Sequence, residues 1–189
     1  AVNTGERFMI YLASNCAKHR EEAFDLLSEV GRSPAYYGGK CKGNNSTNIL
    51  KTPDGEVSPR YTNGTTKHSP WKENYQIFSN YRFCLVLENR HIEWYMSEKI
   101  IMGFLGGCVP IYWGASQIFD VFNEKSFVWY NIDDPYPALD RLAYLERNRS
   151  AYEEVLAEPI LANGERTIEQ YFSYSESVGK GILRGRIRR

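Results

Sequence analysis

Two cations and a glutamate occupy places in this chain where a phosphate could be held. Arg20 follows the apolar run RFMIYLA, residues 7–13, and a short polar turn, and it opens a helical pattern. Glu98 and Lys99 end the charged stretch ENRHIEWYMSEK, residues 88–99, which itself follows the apolar run RFCLVL. An arginine can grip phosphate oxygens with its planar fork. A lysine beside the unpaired N–H groups of a helix start opposes the helix dipole and is tolerable when an anion sits nearby. Each has a plainer reading. Arginines at such places are more often solvated, and a lysine there can face water or pair with a surface acid for under about 1 kcal/mol. Spacing alone leaves Lys99 between the two. Taken together, Arg20 and Lys99 point to a diphosphate.

Other chemistries fit the residues less well. His91-Ile92-Glu93 has the H-x-E spacing of zinc deaminases, but no P-C-x-x-C partner follows. The chain carries no HExxH, Walker loop, GxGxxG or GxSxG. No D-x-D triplet occurs, so a metal-bridged diphosphate site of that sort is unsupported, and no metal ligands are expected. Ser97 has no His/Asp relay in view and reads as the N-cap of the following helix.

The elements that must place these residues alternate. Strands are expected at 7–13, near 35–37, at 82–88, 108–113 and 126–130. Helices are expected from about His19 to Val30, Trp71 to Phe78, Ser97 to Leu105, Gln117 to Phe122, Pro137 to Arg147 and Arg149 to Ala157, with a further one near Glu165 to Tyr174. Gly106-Gly107 reads as a helix stop. Several strands are continuous apolar runs, which favours an α/β doubly wound, mainly parallel sheet with helices on both faces. Ligands of such sheets bind at the carboxyl ends of the strands. SNCAKHR and ENRHIEWYMSEK both fall there.

Length and composition bound the rest. The 189 residues suit one domain, expected over 1–175, with a basic tail over 176–189 whose last ten residues hold five bases and no acid. The remainder carries 18 bases against 23 acids, and formal net charge is zero, which argues against a general nucleic-acid binder. From Gly38 to Pro70, 20 of 33 residues are Gly, Asn, Ser, Thr or Pro, so this stretch reads as a polar loop or insertion. No apolar run approaches the roughly 20 residues that span a bilayer. AVNTGERF is no signal peptide, and the chain reads as a domain of a longer protein or a mature form. Cys84 and Cys108 lie inside apolar runs and read as buried thiols. Cys16 and Cys41 follow the first two strands and could meet at one sheet edge, although pairing is not readable from sequence. Asn44, Asn45, Asn63 and Asn148 begin N-x-Ser/Thr sequons, a weak sign of a secretory chain.

One set of residues is more specific than any of these. Tyr81-Arg82-Phe83, Glu88-Asn89, Tyr95-Met96-Ser97-Glu98-Lys99 and Val109-Pro110-Ile111 with Gly114 stand in a fixed order and spacing between Tyr75 and Tyr130. This stretch resembles the donor-binding half of the α-1,3/α-1,4-fucosyltransferases. A weaker match covers Ser14-Asn15, Arg20 and Tyr37-Gly38-Gly39. Met96 and Ser97 depart mildly from the family pattern, and His91 and Glu93 fill a gap with bulkier residues that are expected to face water.

The resemblance implies a GT-B glycosyltransferase domain that binds GDP-fucose for inverting transfer to a glycan hydroxyl, with no obligatory metal or cofactor. Arg20 and Lys99 would hold the diphosphate. Glu98, the catalytic candidate, would contact the donor sugar or ribose and stabilise developing positive charge, and Asn89 and Tyr95 would line the same pocket. The family's general base belongs to an acceptor-binding N-terminal domain, and none fits before residue 7, so the acceptor and its base are expected outside this chain. The compartment depends on the source: the Golgi lumen on a membrane-tethered parent if eukaryotic, the cytoplasm otherwise. A binding module that keeps the nucleotide-sugar pocket without transfer is the competing reading. A plain α/β domain whose loops serve folding alone is the third.

Overall fold

The computed structural model describes residues 5–42, 49–51, 57–59 and 74–181. Its centre is the apolar run Arg7–Ala13 (β1), paired along both edges by neighbouring strands and packed on both faces into the two cores. Tyr36–Gly39 (β2) lies parallel on one side and Tyr81–Leu85 (β5) on the other. Val109–Tyr112 (β6) and Val128–Trp129 (β7) extend the parallel set. Beyond β2, the short strands Ile49–Lys51 (β3) and Val57–Pro59 (β4) add antiparallel. The full order is β4-β3-β2-β1-β5-β6-β7. The chain moves outward from β1 to β2 and later returns to the other side of β1. The direction of winding therefore reverses between β1 and β5.

Helices cover both faces, as continuous apolar strands require. On one face Lys18–Ser28 (α1), Tyr136–Arg147 (α5) and Arg149–Ala157 (α6) bury Phe24, Leu27, Leu142, Tyr152 and Val155 against Phe8, Phe83 and Ile111. On the other, Asn74–Phe78 (α2), Lys99–Gly106 (α3) and Ile118–Val121 (α4) bury Phe78, Ile100 and Ile118 against Ile10, Cys84 and Tyr112. Arg82 on β5 reaches the buried carboxylate of Glu146 on α5, with Nε 2.8 Å from Oε2.

The expected α/β doubly wound sheet is thus the observed one, with four differences. Two strands lie inside the stretch read as a loop. Three-residue strands are too short to show a period, and Pro59 suits an edge. The stretch near Glu165 to Tyr174 is α-helical only over Glu165–Thr167 (α7) and continues as a π-turn over Ile168–Phe172. Ser97 is not the N-cap of α3. Glu98 holds that position in helical conformation without a side-chain cap, because the Ser97 hydroxyl is bound elsewhere. Gly107 does end the helix, in the left-handed conformation.

The fourth difference is a correction to the reading of Cys84 and Cys108 as thiols: they form a disulfide, with Cα atoms 6.0 Å apart. Cys84 pairs with Pro110 across β5 and β6, and Cys108, two residues before Pro110, shares that face. A second disulfide joins Cys16 and Cys41, in the loops that leave β1 and β2. Asn148 caps α6 through its side chain, which accepts from the Ala151 N–H. The sequons at Asn44, Asn45 and Asn63 and the tail residues 182–189 lie outside the described residues. Among the described residues, no helix is long and apolar enough to cross a membrane.

Candidate functional site

Arg20 lies in the first turn of α1, directly after the loop that leaves the carboxyl end of β1. It is only 3% exposed, which an arginine tolerates only with partners. Its guanidinium stands 5.5 Å from the centroid of the Tyr11 ring. Nη1 donates to the Asn15 carbonyl at 3.0 Å and to Asn89 Oδ1 at 2.7 Å. Both acceptors are neutral, Nε is buried without a partner, and no carboxylate pairs with Arg20 among the described residues. A buried positive charge with unused hydrogen-bonding capacity is a ready anion ligand.

Lys99 comes from the opposite side of the same edge. The run after β5 continues beside β6, since Val86 N–H donates to the Ile111 carbonyl and Glu88 N–H to the Trp113 carbonyl. The apolar sequence therefore carries Glu88 into the interior, where it is fully buried. Lys99 Nζ lies 2.8 Å from Glu88 Oε2 and 2.8 Å from Ser97 Oγ. Ser97 donates its N–H to Glu88 Oε1 at 2.7 Å, and its hydroxyl also reaches that carboxylate. Burial and the neighbouring Glu88 charge push the Tyr112 phenol well above its usual pKa, which keeps it a hydrogen-bond donor toward that carboxylate.

Between these groups opens a cleft of about 550 Å³. Ser14, Asn15, Arg20, Asn89, Glu98 and Lys99 give it a polar side, while Phe78 and Met102 stand on an apolar one. It lies at the carboxyl ends of β1, β2 and β5, where the winding reverses and open α/β sheets take their ligands. Two glycines shape this edge by having no side chain. At Gly39, with φ of 91°, a Cβ would lie 2.0 Å from the Ala13 carbonyl oxygen. At Gly114 a Cβ would lie 2.4 Å from the Tyr112 hydroxyl and 2.9 Å from Glu88 Cγ.

Of the residues expected at the site, Arg20, Asn89, Glu98 and Lys99 converge on this cleft. Tyr95 is on the adjoining loop, 39% exposed, and is not part of the lining. His91 and Glu93 are exposed, with the His91 ring 6.1 Å from that of Trp113. Sequence reasoning missed Glu88 as the partner of Lys99. The signal was available: an acid that ends a continuous apolar strand must be buried or break the pattern. Among the described residues no three His, Cys, Asp or Glu side chains are grouped as metal ligands.

The sequence matches the model of the C-terminal region of glycosyltransferase family 10, the fucosyltransferases, over residues 3–157. The chain belongs to this family. Among curated relatives, an alpha-(1,3)-fucosyltransferase of Helicobacter pylori is 36% identical over 91 residues, covering 46% of this chain and 18% of that protein. An alpha-(1,4)-fucosyltransferase of Arabidopsis thaliana is 30% identical over 120 residues, covering 61% of this chain and 28% of its own length. The chain thus spans less than a third of the length of these relatives. A crystal structure of an alpha1,3-fucosyltransferase with GDP-fucose matches the fold with a TM-score of 0.57 at 30% identity, over 81% of this chain and 39% of that one. Asn89, Glu98 and Lys99, all within the matched span, line the switch-point cleft, and Glu88 and Ser97 hold Lys99 from behind it.

Proposed function

We propose that this chain is the donor-binding, GT-B-type domain of a fucosyltransferase, holding GDP-fucose in the switch-point cleft for inverting transfer to a glycan hydroxyl. The observation that carries this is the convergence of Arg20 and Lys99, from two distant segments, on one cleft of a family 10 domain. In the transfer, the acceptor oxygen bonds to the anomeric carbon as the bond to the β-phosphate oxygen breaks. The electron pair leaves with GDP, and the acceptor proton passes to a base. Positive donors fixed where that leaving charge develops lower the barrier without reorganising. Arg20 and Lys99 fill this role, so the diphosphate charge is met by side chains with no obligatory metal. Glu98, exposed at the cleft, faces the donor sugar and offsets the positive charge that grows on its ring. Asn89 orients Arg20 through its amide oxygen, and Tyr95 borders the donor from the adjoining loop.

The acceptor and the base that takes its proton are assigned to an acceptor-binding domain outside this chain. Two disulfides support an oxidising compartment, the Golgi lumen for a eukaryotic chain. Calorimetric titration with GDP and GDP-fucose tests the donor site. Binding in the micromolar-to-millimolar range that Arg20→Ala/Lys99→Ala abolishes supports the reading. A folded wild-type chain that binds neither ligand would sink it.

A further inference from the structure

Replacing a buried ion pair with well-packed apolar residues is often neutral or stabilising, whereas removing one partner is strongly destabilising. Stability alone therefore gives little reason for a fully buried glutamate at the end of an apolar strand, paired there with Lys99. What the pair does supply is a fixed position for one amine.

Glu88 is held from several directions. Its N–H donates to the Trp113 carbonyl at 2.8 Å, and its carbonyl accepts from His19 Nε2 at 3.1 Å. Its carboxylate accepts from the Ser97 N–H, the Ser97 hydroxyl and Lys99 Nζ. Gly114 leaves the room in which Tyr112 approaches the same carboxylate. The carboxylate thus cannot follow the lysine, and the lysine must come to it. Lys99 Nζ carries three hydrogens. Glu88 Oε2 and Ser97 Oγ accept two of them, and the third remains for a ligand in the cleft that Lys99 lines. A free lysine has four rotatable stem bonds, and its entropy would oppose any one placement. Arg20, by contrast, is held by neutral acceptors and keeps its full charge for the cleft.

We propose that Glu88, acting through the ion pair with Lys99 and the shared Ser97 hydroxyl, is a positioning residue that orients the lysine toward the diphosphate of the donor. This rests on the donor reading above. An orienting residue acts by locking the group that touches the ligand, so its effect must vanish when that group is gone. A residue that only supports the fold would weaken binding whether or not Lys99 is present.

The test is a double-mutant cycle on GDP affinity, read by calorimetry on chains whose folding is checked by circular dichroism and thermal melting. The proposal expects Glu88→Gln to weaken GDP binding about tenfold, by loss of the charge that orients the amine. Lys99→Met should weaken it at least as much, and Glu88→Gln/Lys99→Met no further than Lys99→Met. Should Glu88→Gln fail to fold, Ser97→Ala replaces it, with a smaller loss expected that also disappears in the Lys99→Met background. Equal losses from Glu88→Gln with and without Lys99 would reduce Glu88 to a structural role and overturn the proposal. Wild-type affinity in Glu88→Gln would overturn it as well. If the wild type binds no GDP, or Lys99→Met binds as tightly as wild type, the donor reading itself falls, and that outcome is distinct from the other two.

Discussion

At the scale of single residues, the site depends on groups that are small or buried as much as on those that face the cleft. Arg20 can be buried because the Tyr11 ring, the Asn15 carbonyl and the Asn89 amide receive it. Gly114 is the counterpart on the other side, an absence of atoms that lets Tyr112 and Glu88 meet. Gly114→Ala would force a methyl into a space 2.4 Å from the Tyr112 hydroxyl, which belongs to a fully buried ring and cannot swing away. Overpacking of this kind costs about 1–3 kcal/mol. The substitution is expected to lower the melting temperature, and an unchanged melting temperature would show that the loop after β6 yields freely. Ser97 departs from the expected cap for a related reason. A serine before a helix is a cap by statistics, but a buried carboxylate within reach is a stronger partner for its hydroxyl than a backbone N–H.

At the scale of elements, the cleft is formed by loops that leave β1, β2 and β5, and one covalent link joins the first two. The Cys16–Cys41 disulfide closes a sequence separation of 25 residues directly beside Ser14, Asn15, Gly39 and Lys40, all of which line the cleft. Replacing both cysteines with serine is expected to lower stability by about 2–4 kcal/mol. It should also weaken GDP binding, because Asn15 would no longer be held where its carbonyl receives Arg20. Chemical denaturation and calorimetry on the same variant measure the two effects. A stability loss with unchanged affinity would mean that the sheet alone sets the loop. Most α-helices were legible in the sequence because each carries its own apolar period, and the longer strands because they are continuous apolar runs. Strands β3 and β4 were not, since three residues among Gly, Asn and Thr show no period and are strands only because β3 pairs with β2 and β4 with β3.

At the scale of the whole molecule, several phenols take part in the packing and so tie stability to alkaline pH. Burial pushes Tyr152 up to about 12, and it raises Tyr11, Tyr112 and Tyr130 as well. A folded-state pKa above the unfolded value of 10.0 means that the unfolded chain loses its phenolic protons first. The stability from these groups is therefore complete below pH 10 and falls as pH rises through about 12. Denaturation midpoints measured from pH 8 to 12 should decline only above about 10, together with a cooperative rise in tyrosinate absorbance. Gradual tyrosinate formation without loss of structure would show that the phenols reach solvent in the native state.

The sequence by itself determined the class of sheet, the ends of most elements, the family resemblance, and the placing of Arg20 and Lys99 just beyond apolar strands. Those features are local: a run of apolar residues must be buried, and the polar residues next along the chain must lie at a strand end. Only the tertiary structure decided which strand ends adjoin. The return of β5 to the free side of β1 brings Arg20 to Asn89 across 69 residues of chain. The register of β5 against β6 joins Cys84 to Cys108, and the burial of Glu88 fixes Lys99. These meetings depend on the packing of helices over both faces at once, and the energy that selects one strand order over another is shared among residues far apart in sequence.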